Sequence, residues 1–252
     1  MGTVVSIQIR GDLDATAATR DAVVLLHEVD AQFSTYRADS AVSRFGRGEP
    51  SFMEVPELAH VAAACADLKV ATGGAFDAWA GGFFDPSAYV KGWAVDRAGA
   101  VLVEHGLTDW CINAGGDVLV RAREEGSVWR IGVQHPFDPA SIATTLQSRR
   151  LAVATSGSYF RGGHILDPRS GSAAGAAAST TVTGPSLAIA DALSTAAFVL
   201  GADGPELVSH QAGYECWTVL PDGKVLTTAG FPRVVLGVPV SMVPTTHGEA
   251  AA

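Results

Sequence analysis

Positive charge is scarce in this chain. Lysine occurs only at Lys69, Lys91 and Lys224, arginine supplies most of the rest, and the formal net charge is −9. No cluster of Lys or Arg interrupts that acidity. This argues against a nucleic-acid partner or an anionic membrane surface, since both need concentrated positive charge. Cysteine is equally sparse: Cys65, Cys111 and Cys216 are odd in number, widely spaced and lack a C-x-x-C pair. A disulfide framework and a zinc site are therefore disfavoured, and buried thiols are the expectation. No apolar run reads as approaching the ~18 residues of a membrane span. Met1 is followed at once by the strand-like Gly2 to Ile9, not by a basic and then apolar leader. These absences predict a cytoplasmic protein with no transmembrane segment, or an exported or membrane-attached one if a leader has been removed.

What is present suits a globular enzyme. With 252 residues, 48% hydrophobic and 17% charged, the chain can bury a sizeable core. A single domain over 1–242 is expected. The tail from Val243 (VPTTHGEAAA) has too few apolar groups to offset ordering entropy and is expected to be disordered.

Helical periodicity runs over Thr16 to Phe33, through Val23, Val24, Leu26, Val29 and Phe33, followed by a polar loop from Ser34 to Pro50. A second helix is predicted from Pro56 to Ala71, with Pro in its first turn and Gly73-Gly74 beyond its end. A third runs from about Gly92 to His105, closed by Gly106. Strands are predicted at Trp110 to Asn113, Val118 to Val120, Val128 to Val133, Leu151 to Ala154 and Thr180 to Thr183. Ser186 to Leu200 reads as a helix capped by Ser186, and Cys216 to Thr227 as a hairpin around Pro221-Asp222-Gly223. The small-residue segment Ser170 to Ser179 reads as a mobile loop. The pattern predicts an α+β fold, with a mixed, largely antiparallel sheet and helices packed on it.

Five segments can carry chemistry. Asp191 lies in Ser186 to Phe198, a helix apolar on almost every side, so its carboxylate is expected to be buried and to need a partner. Thr195, one turn on along the same face, could join it on a hard cation such as Mg²⁺; an Arg partner or a capping role is the structural alternative. Asp85 and Lys91 lie on a Pro-containing stretch leading into the third helix, where free N–H groups and a lysine suit a diphosphate. A solvated lysine and a turn-forming acid are the plainer reading. The turns Gly73 to Asp77 and Asn113 to Asp117 are glycine-rich and end in an acid, so they can approach a ligand or simply turn the surface chain. Neither matches G-x-G-x-x-G or G-x-x-x-x-G-K-[ST]. His164, preceded by Gly162-Gly163 and followed by Ile165-Leu166-Asp167-Pro168, is better placed than the other six histidines to accept a proton.

Taken together these segments closely resemble the ApbE family of FAD:protein FMN transferases. The resemblance is carried by Met1-Gly2-Thr3, Phe33 to Tyr36 with Asp39-Ser40, Gly74 to Asp77, Lys91 to Ala94 with Asp96, Asn113 to Asp117, Thr155-Ser156-Gly157, His164 to Pro168 and Ala190 to Ala196. It implies Mg²⁺ held by Asp191, Thr195 and the backbone carbonyl of Ala88. It implies FAD contacts at Met1, Tyr36, Ala75, Phe76, Asp77, Asp85, Lys91 and Ile165, with His164 taking the proton from the attacking hydroxyl. The implied reaction moves FMN from FAD to a threonine or serine of an acceptor protein and releases AMP. An FAD diphosphohydrolase giving FMN and AMP, and a non-catalytic flavin carrier, are the competing functions.

Overall fold

The computed structural model describes residues 2–49, 55–126, 128–157 and 165–232. Met1, His164 and the tail from Val243 lie outside the described residues.

Among the described residues, a seven-stranded sheet runs in the order β1-β2-β3-β6-β7-β8-β9. Its strands are β1 (Val5–Ile9), β2 (Trp110–Ala114), β3 (Asp117–Arg121), β6 (Arg150–Gly157), β7 (Ser179–Gly184), β8 (Glu215–Val219) and β9 (Val225–Thr227). A two-stranded ribbon is formed by β4 (Trp129–His135) and β5 (Asp138–Ser148). Each of these pairings is antiparallel. The helices are α1 (Thr16–Phe33), α2 (Ala41–Gly46), α3 (Pro56–Ala71), α4 (Ser87–Glu104), α5 (Leu187–Leu200) and α6 (Gly204–Ser209). The α+β expectation therefore holds.

Strand alternation divides the two faces of the sheet. Ile112, Ala114, Leu119, Ala152, Ala154, Val182 and Cys216 face the helices. Val118, Val120, Val153, Trp217 and Val219 face Trp129, Ile131, Val133 and Leu146 of the ribbon. On the helical side α5 lies against β6 and β7, α4 packs on α5, and α1 packs on α4. α5 is buried on nearly every side, which explains a helix apolar all round. The helical stretch Leu187–Ser209 is long and apolar enough to cross a membrane by length and composition, and 72% of its most apolar window is buried inside the fold. The sequence reading missed it because polar residues interrupt every strictly apolar run.

Several local expectations change. On α1 the core face is Ala18, Ala22, Leu26, Val29 and Phe33, whereas Val23 and Val24 are exposed. The expected polar loop contains α2, capped by Ser40, whose hydroxyl accepts from the Ser43 N–H. β5 and α6 were not expected. The small-residue segment is not a free loop: Ala177 and Ala178 are buried, Ala174 donates to the Ile165 carbonyl and Ala178 to that of Val219. Of the cysteines, Cys65 and Cys216 are buried and Cys111 half-buried, all as free thiols.

Candidate functional site

The site forms where α4 crosses α5, and glycine makes the crossing possible. A Cβ on Gly92 would lie 2.3 Å from the Leu187 carbonyl oxygen and 2.7 Å from the Ala188 nitrogen. Only glycine lets the two backbones approach so closely. Four residues on, Asp96 fixes the same crossing. Its carboxylate accepts from the N–H groups of Leu187 and Ala188, each at 3.0 Å, and from the Ser186 hydroxyl at 2.8 Å. Asp96 thus caps α5 from a neighbouring helix. The expected Ser186 side-chain cap is absent, and the first N–H groups of α5 donate to Asp96 in its place. Burial raises the Asp96 pKa, against these three hydrogen bonds.

One turn further along α5, Asp191 is buried. Its Oδ2 accepts from the Gly92 N–H at 3.3 Å, and its Oδ1 lies 3.4 Å from Lys91 Nζ. The ammonium of Lys91 is closer still, at 2.5 Å, to Oδ2 of Asp117, another buried carboxylate. Asp117 is held in turn by the Thr155 N–H, 3.0 Å from its Oδ1. The β2–β3 turn that presents Asp117 uses Gly115 and Gly116 at φ +61° and +103°, the left-handed pair that a two-residue hairpin turn requires. Burial pushes the Asp191 pKa well above the usual carboxylate range. Lys91 opposes that rise and the Asp117 charge adds to it. Burial alone would depress Lys91, but Asp191 and Asp117 outweigh it and keep the ammonium charged.

Thr195 stands one turn beyond Asp191 and is half-buried. Its hydroxyl donates to the Asp191 carbonyl at 3.2 Å and lies 3.4 Å from the Ser156 hydroxyl. Ser156 also pairs with Ser194 at 2.9 Å. The end of β6, just before residues 158–164, is thereby tied to the face of α5 that carries Thr195. Ala88 lies in the first turn of α4, and the N–H that follows it by one helical turn is that of Gly92. Lys91 and Asp191 thus meet at the crossing, with Thr195 one turn further along α5 and Ala88 one turn before Gly92 on α4.

The other expected contacts are more dispersed. Tyr36 is 84% exposed, whereas Ala75 and Phe76 are buried, with the Phe76 N–H donating to the Thr72 hydroxyl. Asp77 pairs with Lys69 at 2.7 Å and caps the Trp79 N–H. Asp85 accepts from the N–H and hydroxyl of Ser87. Ile165 is partly buried against the core. The helix start also differs from expectation: α4 begins at Ser87, so Lys91 sits in its second turn. The N–H groups of Ser87, Tyr89 and Val90 are already donated, leaving fewer for a diphosphate. Asp117, read from sequence only as the end of a glycine-rich turn, is the acid that shares Lys91 with Asp191. Its one local signal was the double glycine setting it at a strand start. A separate hollow, lined by Arg150, Thr183, Pro185 and Glu215, opens at the opposite end of β6.

The sequence profile of the ApbE family matches residues 1–85 and 80–218. The chain is 32% identical to the FAD:protein FMN transferase of Rhodobacter capsulatus over 57% of its own length, but spans 29% of that relative. It is 27% identical to the FAD:protein FMN transferase of Vibrio cholerae, covering 80% of this chain and 79% of that protein. Among solved structures, the flavin transferase ApbE from Vibrio cholerae superposes with a TM-score of 0.79 at 26% identity, over 92% of this chain and 95% of that one. The apo flavinyl transferase ApbE of Pseudomonas stutzeri gives 0.73 at 25% identity, over 90% and 93%.

Proposed function

The chain belongs to the ApbE family, and from that premise we propose that it transfers FMN from FAD to a hydroxyl of an acceptor protein, in a magnesium-dependent reaction that releases AMP. The observation that carries this reading is the meeting of Lys91 with the buried Asp191 at the α4–α5 crossing, with Thr195 one turn on along α5; the Ala88 carbonyl joins them by the family resemblance. The donors suit a hard divalent cation, being a buried carboxylate, a hydroxyl and a carbonyl, all oxygen. Magnesium, when bound there, would neutralise the FAD diphosphate.

The chain's own residues do the rest. Asp96 and Gly92 hold α5 in register on α4, which sets Asp191 against the Gly92 N–H. Lys91 adds a positive charge beside the diphosphate. Tyr36 offers an exposed ring for stacking on the flavin dinucleotide, with Ala75, Phe76, Asp77, Asp85, Ile165 and Met1 as further contacts carried over from the family resemblance. His164 takes the proton of an acceptor threonine or serine as that oxygen attacks the FMN phosphorus. The bond from this phosphorus to the bridging diphosphate oxygen then breaks, and AMP leaves.

The test is incubation with FAD, Mg²⁺ and a candidate acceptor, read by in-gel flavin fluorescence and by AMP release. A fluorescent acceptor band lost in His164→Ala and Asp191→Ala is expected. AMP without a labelled acceptor would indicate an FAD diphosphohydrolase. Tight FAD retention with neither product would indicate a carrier. Full activity in Asp191→Ala would remove the metal assignment.

A further inference from the structure

The buried carboxylates Asp117 and Asp191, whose side chains are 2% and 5% exposed, share a single ammonium. Two buried carboxylates that share one cation depend on it to remain charged together. The sharing is unequal: Lys91 Nζ is 2.5 Å from Asp117 and 3.4 Å from Asp191. Asp191 is anchored independently through the Gly92 N–H, and Asp117 through the Thr155 N–H. The Lys91 side chain, 28% exposed, is the least enclosed of the three. It can shift while the two acids stay fixed.

We propose that Lys91 is the resident counter-ion of this site, and that a divalent cation must displace its ammonium from Asp191 while leaving it on Asp117. The inference rests on the metal reading above and adds a coupling between metal and nucleotide binding. A cation already touching the ligating carboxylate repels a second one at near-contact distance. The nucleotide-free protein therefore holds the metal weakly. A diphosphate arriving beside both cations offsets that repulsion, so metal and FAD each strengthen the other's binding. Lys91 makes the site respond to the metal–nucleotide pair in preference to the free metal.

The experiment measures Mn²⁺ binding to the full chain without nucleotide, from the loss of the free-ion paramagnetic resonance signal, and repeats it with FAD. Lys91→Met is expected to bind Mn²⁺ about tenfold tighter or more than wild type in the absence of FAD. It should also show a smaller gain on adding FAD. Lys91→Arg, which keeps the charge, is expected to stay near wild type. If Lys91→Met does not fold, Lys91→Gln, which keeps a neutral donor for Asp117, should tighten in the same way. Unchanged or weaker Mn²⁺ binding in the neutral variants overturns the proposal. If instead wild type has no Mn²⁺ site that Asp191→Asn removes, the metal reading itself fails.

Discussion

Replacing Gly92 with alanine tests the α4–α5 crossing at its tightest point. The new methyl would meet the Leu187 carbonyl oxygen at 2.3 Å and its carbon at 2.5 Å, so the helices must part by roughly 1 Å to restore contact distance. The clash is with backbone, which has no rotamer to relieve it. Overpacking of this kind costs ~1–3 kcal/mol. Parting the helices also stretches the 3.3 Å bond from the Gly92 N–H to Asp191, and loss of a hydrogen bond to a charged group costs ~1.5–3 kcal/mol. Alanine's better helix propensity returns about 1 kcal/mol. The net loss is about 3 kcal/mol, a fall in Tm of roughly 6–12 °C for a chain of this size. Thermal unfolding followed by circular dichroism measures it, and Mn²⁺ binding should weaken in parallel. Gly99→Ala is the comparison, because its methyl would press on the Trp110 ring at 2.6 Å, a side chain able to shift. A Gly92→Ala protein as stable as wild type, or less damaged than Gly99→Ala, would refute the reasoning.

Asp96→Ala leaves the Ser186 hydroxyl and two N–H groups of α5 without their acceptor, and a loss of about 2–4 kcal/mol in urea unfolding is expected. A change below 1 kcal/mol would deny Asp96 its capping role. Thr195→Val keeps the shape of the side chain and removes the hydroxyl, so Mn²⁺ affinity should fall while Tm moves little, with Thr195→Ser restoring binding. Equal binding in Thr195→Val would exclude the hydroxyl as a ligand. Burial pushes the thiols of Cys65 and Cys216, and the hydroxyl of the buried Tyr89, up to about 12. A raised pKa means the folded chain keeps protons that the unfolded chain releases. Stability is therefore full below the unfolded values and falls as pH rises from about 9 towards 12, by up to ~1.4 kcal/mol per pH unit for each group. Urea midpoints measured from pH 7 to 11 should decline, and Cys216→Ala should flatten the slope by about one proton; a flat profile would contradict the burial of these thiols.

The elements legible in the sequence were those whose packing face is written in local pattern. α1 and α3 fall within the bounds their periodicity and flanking residues predict, and α5 could be read as buried because it is apolar on every side. α4 was read as starting at Gly92 because Pro86 and the mixed stretch before Lys91 resemble a loop; packing on α5 extends the helix back to Ser87. α2 was hidden in a polar stretch, and only the Ser40 cap signalled it. The periodicity along α1 misled at Val23 and Val24, because the buried face is carried by Ala18, Ala22, Leu26, Val29 and Phe33.

By itself the sequence determined the α+β architecture, the family resemblance and the placing of Asp191 and Thr195 one turn apart on one helix, since four-residue spacing on a helix is a local property. It could not determine which charges meet. Lys91, Asp117 and Asp191 lie on two helices and a strand far apart in the chain, and their contact depends on a crossing whose closeness is set by Gly92 and whose register is set by Asp96. Contacts close in the chain engaged Asp77 with Lys69 and Asp85 with Ser87. Charge carries no directional code along a chain; burial and distance, which only folding supplies, decide which carboxylates share a counter-ion.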